Sequence, residues 1–293
     1  MVKPREMRIL IASDGSLSAT AAIVTARRFP WPKGTLAFGV IAREGAATPG
    51  RTAVRARLSE AAKLVAENTA AALVRRWPDV RVRLAEGPAV DAIVQRAKTI
   101  RANVVVLGWR GHGAVRRLLA GSVSRGVVRH APCPVLVVRR AMAGVQNIVI
   151  GFDGSEQARR AVALVARLAA PAGGRVLLLT AADTPRMPSH SLLPSDVRGT
   201  VAAEVARINR LRVATARAQL DLAAGTLRAA GWKTQTRVTT LGPLKSLLAA
   251  VSETDANLLV VGARGTTGLE RLLLGSVAEG ALDRSPVPVL IVR

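Results

Sequence analysis

Short runs of consecutive apolar residues alternate along this chain with longer stretches in which apolar positions recur every three or four residues. The first pattern predicts buried strands and the second amphipathic helices. Residues 7–13 (MRILIAS) read as a strand stopped by Asp14-Gly15-Ser16, and an alanine-rich helix comes next over 19–29. A second strand covers 35–42 (TLAFGVIA), a long helix covers 51–76 up to Trp77-Pro78, and 80–85 (VRVRLA) alternates as a half-exposed strand does. Gly87-Pro88 opens a helix to about Ile100. Residues 103–108 (NVVVLG) form a fully buried strand, 122–129 a short helix, and 134–138 a last strand.

The order then repeats. Residues 147–155 (NIVIGFDGS) match MRILIASDGS, a helix covers 156–169, and 175–181 (RVLLLTA) is a second strand. The stretch 183–200, with its Pro, Ser and Asp, reads as a loop leading to a long helix over 201–230. KTQTRVTT is the third strand, Gly242-Pro243 opens another helix, NLLVVG is the fourth strand, and PVPVLIVR is the fifth. Alternating strands and helices predict parallel sheets covered on both faces. The expected fold is therefore α/β, with two tandem doubly wound parallel five-stranded sheets, over residues 1–140 and 145–293. Ligands of such sheets bind beyond the carboxyl ends of the strands, where the winding direction reverses. That singles out Asp14 and Asp153 after strand one, and Gly108 and Gly262 after strand four.

The segment just past strand four is the most closely repeated part of the chain. GWRGHGAVRRLLAGS begins at Gly108 and GARGTTGLERLLLGS at Gly262, an offset of 154, with 8 of 15 positions identical. The aspartates are offset by 139, so about fifteen residues enter the second copy in between, placed by the pattern in the loop and long helix. The recurring frame is Gly-x-x-Gly, nine residues, then Gly-Ser. Glycine here permits positive φ and lets a ligand approach the backbone with no Cβ in the way. Backbone N–H groups of the loop and helix start then form an anion site, to which a serine hydroxyl adds a donor. A serine at that point also serves as a helix N-cap. The pattern is not a P-loop, because no lysine lies in either motif. Its repeated cations are Arg110/Arg264 and Arg117/Arg271, which either balance phosphate charge or sit solvated on a loop. Trp109 and His112 face Ala263 and Thr266 in the other copy, so the pocket rims are expected to differ.

Composition narrows the remaining classes. Aromatic residues are only 2% of the chain, so the cores are built from Val, Leu, Ile and Ala. The formal net charge of +24 favours anionic partners, or reflects arginine on solvated helix faces. The basic residues are scattered, aromatics for base stacking are few, and zinc-finger spacing is absent, so a nucleic-acid reader is disfavoured. Cys133 is the single cysteine, which excludes a disulfide framework, and APCPVLVV places it as a small buried hydrophobe. No apolar run reaches the length of a membrane span, and the first residues are too short for a signal peptide, so a cytoplasmic protein is expected. No Ser-His-Asp set is apparent. His130 has Arg284 at its equivalent position and reads as structural.

With these residues in view, both halves resemble the universal stress protein family, joined in tandem. The family's ATP-binding pattern, Gly-2x-Gly-9x-Gly-Ser/Thr, is met by Gly108, Gly111, Gly121 and Ser122, and again by Gly262, Gly265, Gly275 and Ser276. Its first-strand aspartate falls on Asp14 and Asp153. Its strand-two residue, whose backbone meets adenosine, falls on Val40 and Ala181. The closing Pro-x-Pro-Val-Leu-x-Val is met at 132–138 and 286–292. Asn103 and Asn257 depart from the family, which commonly has Asp before strand four. The resemblance implies a Rossmann-like fold, ATP bound in each half with Mg2+ or Mn2+, and a role in stress survival and signalling rather than dedicated catalysis. It also implies pairing through the final strands, here within one chain, and allows a further homodimer. A slow ATPase or phosphotransferase, with Asp14 orienting water, and a basic nucleic-acid-associated protein are the competing readings.

Overall fold

The computed structural model describes residues 6–43, 52–110, 121–182, 195–265 and 274–293. The first half runs β1 (Arg8–Ala12), α1 (Leu17–Arg28), β2 (Leu36–Arg43), α2 (Thr52–Val74), β3 (Arg81–Glu86), α3 (Ala89–Thr99), β4 (Val104–Gly108), α4 (Ser122–His130), β5 (Val135–Val138). The second runs β6 (Asn147–Gly151), α5 (Glu156–Ala166), β7 (Arg175–Ala181), α6 (Ser195–Ala229), β8 (Lys233–Thr239), α7 (Pro243–Glu253), β9 (Leu258–Gly262), α8 (Ser276–Arg284), β10 (Val289–Val292). All ten strands join one sheet in the order β3-β2-β1-β4-β5-β10-β9-β6-β7-β8. Each half is thus a parallel doubly wound set of five. The winding reverses between β1 and β4 and between β6 and β9. At the centre β5 and β10 run antiparallel, with Val137 opposite Val289, Leu136 opposite Leu290 and Val135 opposite Ile291.

The central strands are apolar at every position because both faces of the sheet are covered. Their side chains alternate between two cores. Ile9, Ile11, Val104, Val106, Leu136 and Val138 share one core with Ile148, Ile150, Leu290 and Val292 of the second half. Leu10, Val105, Leu107, Val135 and Val137 share the other with Val149, Leu259, Val261, Val289 and Ile291. Helices α1, α2, α5 and α6 cover the first face, and α3, α4, α7 and α8 the second. Each core therefore runs without interruption from one half into the other. The outermost strands, β3 and β8, present Arg81, Arg83 and Glu86, and Lys233, Gln235 and Arg237, to solvent. Charged edges of this kind resist pairing with a further strand.

The segment between the halves is packed down. Met142 and Val145 are buried, the Met142 N–H donates to Thr25 Oγ1 at 3.2 Å, and the Ala169 N–H donates to the Pro30 carbonyl at 2.9 Å. Asn103 and Asn257 each tie the start of strand four to strand one. Asn103 Oδ1 accepts from the Arg8 N–H at 2.7 Å, and Asn257 Oδ1 accepts from the Gln146 and Asn147 N–H groups at 3.0 and 3.2 Å.

One boundary departs from the expectation. Helix α6 begins at Ser195, inside the stretch read as a loop to residue 200, and runs for 35 residues against 23 in α2. Gly199 lies within the first turns of this helix. A glycine inside a helix costs only about 1 kcal/mol, which a helix of this length absorbs. Among the described residues no helix is long and apolar enough to cross a membrane.

Candidate functional site

Each half has a tight turn where strand one ends. Asp14 Oδ1 accepts from the Ser16 N–H at 3.0 Å, and Ser16 Oγ accepts from the Ala19 N–H at 3.2 Å as the N-cap of α1. In the second half Asp153 Oδ1 accepts from the Ser155 N–H at 3.0 Å, and Ser155 Oγ from the Ala158 N–H at 3.1 Å. The glycine between them takes φ of +81° at Gly15 and +75° at Gly154. A side chain strains there. One carboxylate oxygen of each aspartate therefore holds the turn that leads into the helix.

Glycine permits positive φ in the Gly-x-x-Gly frame, but the described glycines of the frame do not use that freedom. Gly108, Gly121, Gly262, Gly265 and Gly275 all lie outside the left-handed region. Gly108 is required by packing instead. A Cβ on it would stand 2.6 Å from the Ser18 carbonyl carbon and 2.7 Å from its oxygen, so α1 rests directly on the end of β4. The fit at Gly262 is looser, with Arg264 O at 3.1 Å and Gln157 Cβ of α5 at 3.2 Å.

The base of each glycine loop is closed by its own backbone. The Gly121 N–H donates to the Trp109 carbonyl at 2.9 Å and the Gly275 N–H to the Ala263 carbonyl at 2.8 Å. Gly121 and Gly275 are themselves the N-caps of α4 and α8, and no side chain caps either helix. Ser122 and Ser276 are thus first helical residues rather than caps, and both are exposed. First-turn N–H groups without a side-chain acceptor are suited to an anion.

The structure brings the two parts of the predicted site together. Ser16 Oγ donates to the Arg110 carbonyl at 3.4 Å, linking the strand-one turn to the glycine loop. In the second half the Arg264 N–H donates to Gln157 Oε1 at 2.6 Å, and Asp153 Oδ2 lies 2.7 Å from where a Gly265 Cβ would be. Gly111, Arg117, Arg271, His112, Thr266 and His190 lie outside the described residues.

The two strand-two residues, Val40 and Ala181, do not share the same register. Val40 stands opposite Ala12, and its counterpart opposite Gly151 is Leu179, not Ala181. The Val40 carbonyl accepts from the Ser13 N–H at 3.1 Å and the Leu179 carbonyl from the Phe152 N–H at 2.9 Å. The pair that projects past strand one is Ala42 and Ala181. The offset of 139 visible at the aspartates carries 40 onto 179 and was the signal for this.

Trp109 is not a rim residue. It is buried, with its indole Nε1–H donating to the Leu282 carbonyl in the other half at 3.2 Å. Its ring lies between two guanidinium groups, with Arg110 Cζ at 3.8 Å and Arg139 Cζ at 3.6 Å from the centroid. Arg110 is thus neither solvated on a loop nor turned wholly to the glycines. Burial, and then the neighbouring Arg110 charge, lower the Arg139 pKa from its ordinary value. Arg293, which sits where Arg139 does one copy later, is lowered by burial and by Arg264. His130 ends α4 with its Nδ1 2.8 Å from the Gly126 carbonyl, in keeping with a structural place. Cys133 is buried, and desolvation pushes its thiol up to about 12. Among the described residues no group of three His, Cys, Asp or Glu side chains could hold a metal ion.

The model of the universal stress protein family matches residues 7–139 and 144–293. A universal stress protein of Mycobacterium tuberculosis is 31% identical over 204 residues, covering 66% of this chain and 62% of that protein. Another, from Thermus aquaticus, is 38% identical over 138 residues, covering 45% of this chain and 97% of that protein. The crystal structure of a universal stress protein from Archaeoglobus fulgidus superposes with a TM-score of 0.70 at 18% identity, covering 99% of both chains, and shares the fold. The match to the mycobacterial relative spans less than two thirds of that protein's length.

Proposed function

The chain belongs to the universal stress protein family, and from that footing we propose that it binds ATP at two sites, one in each half, as a stress-response protein of the cytoplasm. The observation that carries this reading is duplication of one arrangement: an aspartate turn on strand one abuts a glycine loop on strand four, which leads into a helix without a side-chain cap. In the first half the nucleoside end falls to Asp14 and the tip of β2. The phosphates fall to Gly108, Gly111, Gly121 and Ser122, at the start of α4. In the second half Asp153 and Ala181 take the nucleoside end, and Gly262, Gly265, Gly275 and Ser276 the phosphates. Arg110 and Arg264 border the two loops.

A carboxylate beside the polyphosphate is repelled by it, so Asp14 and Asp153 belong at the adenine or ribose, where they accept hydrogen bonds. A divalent ion, Mg2+ or Mn2+, rides on the phosphates and needs few protein ligands. The unit that carries both sites is the chain closed on itself through β5 and β10.

Calorimetry with ATP, AMP and adenosine tests the assignment. Losing a hydrogen bond to a charged acceptor costs about 1.5–3 kcal/mol, or roughly ten- to a hundredfold in affinity. Asp14→Ala and Asp153→Ala are each expected to weaken all three ligands by that order at one site and leave the other intact. Unchanged affinity for all three would remove these aspartates from the site. A wild-type chain that neither retains nucleotide on purification nor takes it up would end the ATP reading itself.

A further inference from the structure

Helices α4 and α8 occupy equivalent places in the two halves, yet the residues they turn toward each other carry opposite charge. Arg125 and Arg129 of α4 stand one copy before Glu279 and Asp283 of α8, at the repeat offset of 154. Across the junction the pairs cross over, as a twofold arrangement requires. Arg125 Nη2 lies 2.7 Å from both Oδ1 and Oδ2 of Asp283, and Arg129 Nη2 lies 2.9 Å from Glu279 Oε1. Arg139 Nη2 adds a bond to the Asp283 carbonyl at 2.6 Å. The first pair is the better shielded, with side-chain exposures of 27% and 19%.

We infer that these charges sort the halves: each accepts the other and rejects its own kind. The β5 and β10 edges do not discriminate by themselves, since both are four-residue runs of Val, Leu and Ile that pair through backbone groups. Pairing two first halves by the same geometry sets Arg125 of one against Arg129 of the other, twice over. Pairing two second halves sets Glu279 against Asp283. Like charges in contact oppose association more strongly than a half-exposed ion pair favours it, so repulsion in the wrong pairs supplies most of the discrimination. The partner of the first half is therefore a second half, and the nearest one is on the same chain.

The test uses the full chain. R125E/R129E makes both faces acidic and E279R/D283R makes both basic. Each double variant is expected to melt roughly 5 °C or more below wild type. The quadruple variant, with the charges exchanged, is expected to recover most of that loss. Co-expressed with different tags, the two doubles should purify as a 1:1 pair, because the acidic first half of one now matches the basic second half of the other. Doubles that melt with the wild type overturn the inference, as does a quadruple variant no more stable than the weaker double. Two doubles that purify apart also overturn it.

Discussion

Where β4 ends, Gly108 leads into Trp109, whose ring is held between Arg110 and Arg139 and whose indole N–H reaches the Leu282 carbonyl of the other half. At the same point of the second half, Gly262 leads into Ala263, also buried but too small to reach across. The Trp109 carbonyl accepts twice, from the Gly121 N–H and from Ser124 Oγ at 2.9 Å, whereas Ala278 stands in the place of Ser124 and brings no hydroxyl. The glycines and the loop-closing backbone bond are common to both. The side chain that reaches from one half to the other, Trp109, has no counterpart of its size in Ala263. Two copies inside one chain are released from the requirement to be alike at their shared boundary, and there this chain has diverged.

The largest effect is expected from removing the residue that only one half has. Trp109→Ala leaves a cavity in the core shared by both halves, at a cost of about 3–5 kcal/mol. Among the described residues it also leaves the Leu282 carbonyl with the longer side-chain bond from Arg139 Nη2, at 3.4 Å. Urea unfolding measures the loss. A loss below about 1 kcal/mol would mean that the indole is not a strut between the halves.

A smaller and more discriminating effect is expected at the strand ends. Gly108→Ala forces a methyl group onto the Ser18 backbone and is expected to cost about 1–3 kcal/mol. Gly262→Ala meets its neighbours at 3.1 Å and beyond, and is expected to cost less than Gly108→Ala in the same assay. Equal costs would erase the difference in helix packing between the halves.

The smallest effect is expected where one half can borrow from the other. Val287 occupies the place of Cys133, one copy later. Cys133→Val is expected to change stability by less than about 1.5 kcal/mol, as near-isosteric apolar exchanges do. With its thiol pushed up to about 12 by burial, Cys133 stays protonated at neutral pH and should react with iodoacetamide only as the chain unfolds. Rapid alkylation of the folded chain would contradict that burial.

The same contrasts divide the residues legible in the sequence from those that are not. Buried strands of four to seven apolar residues announce themselves, because strand burial is recorded by neighbours in sequence. The role of Gly108 does not, because the atom that excludes a Cβ belongs to Ser18, ninety residues earlier. Trp109 reads as a rim residue for the same reason: its acceptor, Leu282, lies 173 residues away. The opposed charges of α4 and α8 are legible as residue types, but their meeting depends on the crossing of two helices that no local pattern records. Ala181 is misaligned for a different cause. Alanine at a strand end has little side-chain identity, and only the register against β6 shows that Leu179 answers to Val40.

The antiparallel seam at the centre of the sheet also sets a timetable for synthesis. Strand β5 ends at Val138 and β10 begins at Val289. At about 5–20 residues per second, a ribosome needs on the order of 8–30 s to cover the roughly 150 residues between them. Throughout that interval the first half can be complete except for one bare apolar edge, beside other nascent chains that carry the same edge. Arg125 and Arg129 flank it from the moment α4 forms, so two waiting first halves meet charge against like charge until Glu279 and Asp283 emerge.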